Sequence, residues 1–140
     1  MIALGDRATG LTASAAPFPL ALPNLWHLAS DVTGELTGDA SCLDLVAVLH
    51  PTAAVAGYPT AAAVAAIAEL EPFDRVRYAG PVGWVDGNGD GEWAIALRCA
   101  QVTGTEVRAF AGAGIVAGSD PAQELAETTL KLRPITEAFG

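Results

Sequence analysis

The chain has few residues that could bind a polyanion. Seven lysines and arginines stand against sixteen aspartates and glutamates, which gives a net charge of −9. Binding to a phosphate backbone or to an anionic lipid surface requires clustered positive charge. We therefore expect neither nucleic acid nor a membrane as a partner. If the ligand is a small anion, the few positive side chains are the candidates to bind it.

Cysteine and long apolar runs are scarce as well. Cys42 and Cys99 are the only two cysteines, they lie far apart, and they lack metal-ligand spacing. Since they suggest no disulfide framework, we expect the reducing cytoplasm. We expect no helix that spans a bilayer. Pro17 and Pro19 interrupt the only apolar part of the N-terminal segment, which leaves no adequate signal-peptide core.

The 140 residues are enough for one domain, and 51% of them are apolar, much of that alanine. We expect a core of small side chains around a few larger ones. Residues 1–24 show no clear periodicity and predict an irregular lead-in. The predicted elements are a strand over 25–36 with a turn at Gly34, a helix over 42–49 capped by Ser41, a loop over 50–59, a helix from Thr60 to about Leu70, strands over 78–86, 92–102 and 106–115, and a final helix after Asp120 and Pro121. This mixed order predicts an α+β fold, with a mainly antiparallel sheet and packed helices.

One motif resembles the start of a calcium-binding loop. Asp86, Asn88 and Asp90 match its first ligand positions, but the twelfth position, which requires a bidentate glutamate, is Leu97. Flanking helices are not predicted either. We interpret the segment as the polar tip of a hairpin.

The final helix contains the most distinctive group of charges. Glu124, Glu127 and Lys131 fall at i, i+3 and i+7 and therefore share one face. Two carboxylates one turn apart suit Mg²⁺, which takes few protein oxygens and completes its shell with water and substrate. A solvated helix face with an ordinary Glu127–Lys131 ion pair explains the same spacing, and spacing alone favours it.

Four further residues each allow two interpretations. Arg98, in a predicted strand, either extends to the solvent or binds an anion. Gly112 and Gly114 either let backbone N–H groups approach an anion near the start of the last helix or relieve tight strand packing. His27 follows Trp26 in a predicted strand, so a hydrogen-bonded core histidine is favoured over a catalytic one.

Five segments together resemble the isochorismate synthases of the chorismate-binding family, which also includes the anthranilate, aminodeoxychorismate and salicylate synthases. They are LPNLWHLASDVTGEL, LDLVAVLHPTAAVAGYP, EPFDRVRYAGPVGWVD, GEWAIALRCA and AGAGIVAGSDPAQELAETTLKL. They follow family order and cover about Ala21 to Leu132. The resemblance implies that residues 21–140 form the C-terminal part of the chorismate-binding fold, and residues 1–20 are an unmatched lead-in.

The resemblance also implies roles for individual residues. Glu127 and Glu124 match carboxylates that bind Mg²⁺. The residues that match substrate-binding positions are Lys131 and Arg98 for substrate carboxylates, Gly112 and Gly114 for the pyruvyl end, His27 for an active-site histidine, Tyr78 for an aromatic wall, and Ala54 and Val55 for positions that separate isomerisation from lyase chemistry. A small Ala54 fits the isomerase.

The implied reaction is a magnesium-dependent exchange of the ring hydroxyl of chorismate, which gives isochorismate for menaquinone or siderophore synthesis. Family members use a lysine base and a glutamate acid that lie upstream of the matched region, so no catalytic residue is expected in this chain. We expect the C-terminal portion of an isochorismate synthase. The alternatives are a truncated or split-gene product that is inert or works only by pairing with a separate N-terminal half, and another chorismate-utilising synthase.

Overall fold

The computed structural model describes residues 4–22 and 25–140, which form two compact units. The first unit comprises the residues up to Leu49 together with Trp84–Glu92, and the second comprises His50–Gly83 and Trp93–Gly140. The elements of the described chain are β1 Ala8–Ala13, β2 Phe18–Leu22, β3 Leu25–Ala29, β4 Val32–Leu36, α1 Cys42–Leu49, α2 Ala53–Ala56, α3 Thr60–Leu70, β5 Pro81–Val85, β6 Gly91–Ile95, β7 Cys99–Thr103, β8 Glu106–Phe110 and α4 Pro121–Ala138. Antiparallel strand pairs mixed with helices confirm the α+β prediction.

A long two-stranded ribbon forms most of the first unit. β1 pairs with β4 and β2 pairs with β3, both antiparallel, so the second pair is nested inside the first. The prediction of an irregular segment over residues 1–24 was therefore wrong for β1 and β2, whereas residues 1–3 lie outside the described part. β4 is exposed along its whole length. A strand whose two faces both meet solvent carries no alternation of apolar and polar residues that would reveal it.

Gly34 lies inside β4, so the predicted turn at this residue was wrong. The predicted strand is interrupted instead between β3 and β4, where the Asp31 N–H donates to Ser14 Oγ on the opposite arm at 3.0 Å. A Cβ at Gly34 would lie 2.7 Å from Leu11 Cδ2. The glycine therefore serves close strand packing and not chain reversal.

α1 and the hairpin tip beside it agree with the predictions. α1 begins at Cys42, and the Asp44 carboxylate accepts from the backbone N–H of Ser41 at 2.8 Å, as the third residue of a capping box does. In the tip, Asp86 Oδ1 accepts from the N–H groups of Asn88 and Asp90. Because Asp86 stabilises its own turn, the interpretation as a polar hairpin tip is confirmed.

The second unit begins with two helices where a loop and one helix are predicted. α2 occupies part of the predicted loop, and Gly57, with a φ of 82°, separates it from α3. Ala53–Leu70 is the one described stretch long and apolar enough to cross a membrane. It is not one continuous helix, because α2 ends at Ala56 and α3 begins at Thr60. The absence of a membrane-spanning helix stays a prediction.

The strand predicted over 92–102 is broken into β6 and β7. The Leu97 N–H donates to the Ile95 carbonyl at 2.8 Å, a three-residue turn, and Arg98 has a φ of 48°. Arg98 therefore lies in a turn, and its predicted place in a strand was wrong. Both interpretations of Arg98 assumed that its side chain projects from a strand. Because Arg98 lies in a turn, that assumption does not hold.

α4 begins as predicted, with Asp120 Oδ1 accepting from the Gln123 N–H at 2.9 Å and Pro121 in the first turn. The predicted core of small side chains around a few larger ones is confirmed. The buried apolar residues of the second unit are Ala56, Ala79, Phe110 and Ile135.

Candidate functional site

Tyr78 lies in the most strained backbone segment that the structure describes. Val76 and Ala79, on either side of it, have φ values of 49° and 63°. A β-branched residue rarely adopts a positive φ, and such outliers concentrate at functional sites. The Tyr78 ring stacks on Phe110, with centroids 5.4 Å apart and planes 14° from parallel. Burial raises the pKa of the Tyr78 phenol, which therefore stays protonated at neutral pH.

The turn that contains Arg98 lies beside this segment. The Ala79 N–H donates to the Ala96 carbonyl at 2.9 Å, and the Ala96 N–H donates to the Gly80 carbonyl at 2.8 Å. Two hydrogen bonds thus join the backbone of the Tyr78 turn to that of the Arg98 turn. The structure brings these two predicted site residues into one neighbourhood.

Gly112 connects the same neighbourhood to α4. A Cβ at Gly112 would lie 2.6 Å from the Tyr78 hydroxyl, so glycine is required for this close approach. The Lys131 ammonium donates to the Gly112 carbonyl at 3.0 Å and forms an ion pair with Glu127 at 2.5 Å. Tyr78, Gly112, Lys131 and Glu127 therefore form one continuous set of contacts.

The Glu127–Lys131 pair is the ion pair that helical spacing predicts. The hydrogen bond from Lys131 holds the pKa of the Glu127 carboxyl below its usual range. The Lys131 side chain is 25% exposed and that of Glu127 is 54% exposed. A lysine ammonium has three N–H donors, and two contacts engage two of them. The ion pair and a substrate-binding role of the same lysine are therefore compatible.

Ala54 and Val55 lie in α2. The link between α2 and Tyr78 is Arg75, which was not singled out from the sequence. Arg75 donates to the Val55 carbonyl at 3.3 Å, and its guanidinium lies 5.5 Å from the centre of the Tyr78 ring. Arg75 also makes two bonds to Glu71, four residues earlier. That spacing was the available signal, but it supports an ion pair only within a helix, and α3 ends at Leu70.

Three predicted residues stand apart from this network. Nothing lies within 4 Å of a Cβ at Gly114. Glu124 is half-buried on α4, one turn before Glu127. Residues 4–22 and 25–140 contain no group of three or more His, Cys, Asp or Glu side chains that could hold a metal. His27 is exposed on β3 in the first unit, so the prediction of a core histidine was wrong.

An open groove of about 530 Å³ is lined in part by Tyr78 and Phe110. Its lining includes Cys99 and Gln101 but none of Arg98, Gly112 or Lys131. The groove and the contact network therefore share only Tyr78 among the predicted site residues.

Comparison with known proteins identifies the family of the chain. Residues 3–140 match the family model described as chorismate binding enzyme. The isochorismate synthase EntC of Escherichia coli is 44% identical over 137 residues, which are 98% of this chain and 35% of that protein. The isochorismate synthase DhbC of Bacillus subtilis is 50% identical over 117 residues, which are 83% of this chain and 29% of that protein.

A solved structure gives the same result. The crystal structure of the DhbC protein of Bacillus anthracis, described as a 2,3-dihydroxybenzoate-specific isochorismate synthase, has a TM-score of 0.93 and 44% identity. The match covers 99% of this chain and 38% of that one. The chain thus spans about a third of the length of the relatives that it matches. With the match over residues 3–140, the chain belongs to the chorismate-binding enzyme family.

Proposed function

We propose that this chain is the substrate- and metal-binding part of an isochorismate synthase, which converts chorismate to isochorismate for menaquinone or siderophore synthesis. The observation on which the proposal rests is the continuous contact of Tyr78, Gly112, Lys131 and Glu127. All four were singled out from the sequence for this activity. The similarity to isochorismate synthases supports this choice within the family.

The chain's positive side chains bind the carboxylates of the substrate in this proposal. Lys131, the only lysine, can exchange its contact with the Gly112 carbonyl for a substrate carboxylate. Arg98 supplies the second positive charge from its turn. Tyr78 forms an aromatic wall, Gly112 and Gly114 line the pyruvyl end, and a small Ala54 leaves room for the ring.

Glu124 and Glu127 would hold Mg²⁺. They fit the donor set of this ion in kind, since Mg²⁺ takes one or two carboxylates and completes its shell with water and substrate oxygens. The low pKa of Glu127 keeps that carboxylate ionised and ready to bind a cation. Bound there, Mg²⁺ would neutralise charge on a substrate carboxylate and orient the ligand.

The general base and acid belong to the rest of the family fold in this proposal. Lys131, as the only lysine, is assigned to carboxylate binding, so the expected lysine base has no second candidate in this sequence. We propose that an N-terminal half supplies the base and the acid. A product that is inert without that half is the alternative, and another chorismate-utilising synthase is the second.

We further propose a cytoplasmic location without nucleic acid or membrane partners. Neither Cys42 nor Cys99 forms a disulfide, and both are half-buried, which is consistent with a reducing compartment. The net charge of −9 opposes binding to polyanions.

The test is chromatographic detection of isochorismate after incubation with chorismate and Mg²⁺. The chain is assayed alone and together with the part of the E. coli relative that it does not span. We expect product only from the mixture. Glu127→Ala should reduce turnover by about 100-fold or more and remove its Mg²⁺ dependence. Glu137→Ala, on the same helix and also paired with a basic residue four positions away, is the matched control.

Other outcomes would contradict specific parts of the proposal. Product from the chain alone would mean that base and acid lie within these 140 residues. An unchanged Mg²⁺ dependence in Glu127→Ala would remove Glu127 from the metal site. A mixture that folds and binds chorismate without turnover would favour the inert alternative, and a different product would identify another synthase of the family.

A further inference from the structure

Arg75 makes contacts with three separate parts of the second unit. Its Nε and Nη2 donate to the two carboxylate oxygens of Glu71 at 2.7 and 2.6 Å. Its Nη1 donates to the Val55 carbonyl at 3.3 Å, and its guanidinium lies 5.5 Å from the centre of the Tyr78 ring. One side chain thus joins the end of α3, the short helix α2 and the aromatic stack.

The geometry of these contacts restricts Arg75 to one orientation. A planar guanidinium bound through two parallel hydrogen bonds to a carboxylate cannot rotate without breaking both of them. The Glu71 and Arg75 side chains are only about a quarter exposed, at 27% and 26%. The hydrogen bonds that Arg75 donates to Glu71 raise the pKa of the Arg75 guanidinium, so the cation persists at every relevant pH.

The contact of Arg75 with α2 matters because local structure alone does not stabilise α2. α2 has only four residues, and an isolated helix of this length is unstable in water. A cation at the carbonyl end of a helix is favourable because the carbonyls there lack helical partners. Arg75 therefore holds in place the segment that contains Ala54 and Val55.

We propose that Arg75 is a positioning residue. It fixes α2 relative to Tyr78, so that the two sides of the substrate site are correctly placed before the substrate binds. This inference rests on the proposed function for the identity of the substrate. Arg75 itself does not contact the substrate in this proposal. It acts through the Val55 carbonyl and through the face of the Tyr78 ring.

An ordinary ion pair between neighbouring residues is the competing explanation, and the chain contains such a pair for comparison. Arg133 and Glu137 are also four residues apart and bonded at 2.6 Å, but their side chains are 70% and 61% exposed on α4. Arg133→Lys is therefore the matched control for Arg75→Lys. Both substitutions keep the positive charge and replace the planar guanidinium with an ammonium.

The first measurement is amide hydrogen exchange on the 140-residue chain. In Arg75→Lys we expect exchange at least about fivefold faster at Ala56 and Gly57, whose N–H groups donate to Thr52 and Ala53 within α2. Amides of the β7–β8 hairpin should keep their rates, and Arg133→Lys should change neither group. Faster exchange throughout the chain, or an unchanged exchange rate in α2, would overturn the inference.

The second measurement is steady-state kinetics with chorismate in the mixture described above. Because a misplaced α2 weakens the binding of chorismate, Arg75→Lys should raise KM by about tenfold with a smaller effect on kcat. Glu71→Gln leaves Arg75 charged but weakens its two hydrogen bonds to residue 71, so it should change KM in the same direction. An Arg75→Lys enzyme with the KM of Arg133→Lys would overturn the positioning role. If the unmodified mixture has no activity, the proposed function fails, and the exchange measurement still decides the role of Arg75.

Discussion

A methyl group at Gly112 would lie 2.6 Å from the Tyr78 hydroxyl, whereas Gly114, two residues on, has open space around it. Tyr78 cannot move aside freely, because its ring stacks on Phe110. Close packing makes such an added atom costly. The two glycines therefore differ in kind, although they look alike in the sequence.

We expect Gly112→Ala to lower the free energy of unfolding by about 1–3 kcal/mol, since it overpacks the contact with Tyr78. Gly114→Ala is the matched control and should change it by less than about 0.5 kcal/mol. Urea unfolding of both variants checks this. In a Tyr78→Phe background the cost of Gly112→Ala should shrink, because the clashing oxygen is gone. Equal costs in both backgrounds would rule out the proposed clash.

At the scale of residues, the resemblance to the chorismate-binding family, and not spacing alone, predicted part of the site. Tyr78, Gly112, Glu127 and Lys131 were predicted from the sequence and lie in one set of contacts. Arg75 was not predicted, because its carboxylate partner lies across the end of a helix. Proximity of this kind depends on how the chain turns after Leu70, and no local pattern encodes it.

At the scale of elements, α4 positions both carboxylates and the lysine of the site. Its start is fixed by Asp120, whose carboxylate accepts from the Gln123 N–H. Glu124 and Glu127 follow within the next two turns. The strength of this cap therefore controls the order of the helix end from which the two carboxylates proposed to bind Mg²⁺ project.

We expect Asp120→Ala to lower the free energy of unfolding by about 1 kcal/mol, since one of the first N–H groups of α4 loses its acceptor. Asp120→Asn keeps an acceptor and should be nearly neutral. Urea unfolding followed by far-ultraviolet circular dichroism measures both. If alanine and asparagine cost the same, the negative charge and not the hydrogen bond stabilises this end of the helix.

Capped and proline-bounded helices were predicted from the sequence, and the ribbon was not. Ser41 and Asp120 are local signals that act on the backbone directly, so the starts of α1 and α4 were predicted, and α3 was predicted over its observed residues. β1 and β2 have no such signals. The break at Arg98 also has none, because a positive φ in an arginine is imposed by its surroundings.

At the scale of the whole chain, both units expose large apolar side chains. Trp26 and Leu28 lie on one face of the ribbon and are 72% and 79% exposed. In the second unit Ile115 and Leu125 are 72% and 68% exposed. Exposed apolar groups on a two-stranded ribbon promote association between chains.

We expect the isolated chain to associate as its concentration rises. The double variant Trp26→Thr with Leu28→Thr should weaken that association by about tenfold without lowering stability, because both side chains are already exposed. Sedimentation analysis over a range of concentrations tests this. Tyr58→Thr is the matched control, as Tyr58 is 86% exposed but lies outside the ribbon. Association unchanged in the double variant would show that the ribbon face takes no part.

The strand pairing described above also sets how fast the chain folds. β2 and β3 are separated by only two residues, and β7 and β8 by two as well. Contacts between sequence neighbours cost little loop-closure entropy, and hairpins form within about 1–10 μs. The β7–β8 hairpin, whose ends lie next to Arg98 and Gly112, can therefore form early and locally. β1 and β4 lie farther apart in the sequence, so their pairing follows that of β2 and β3.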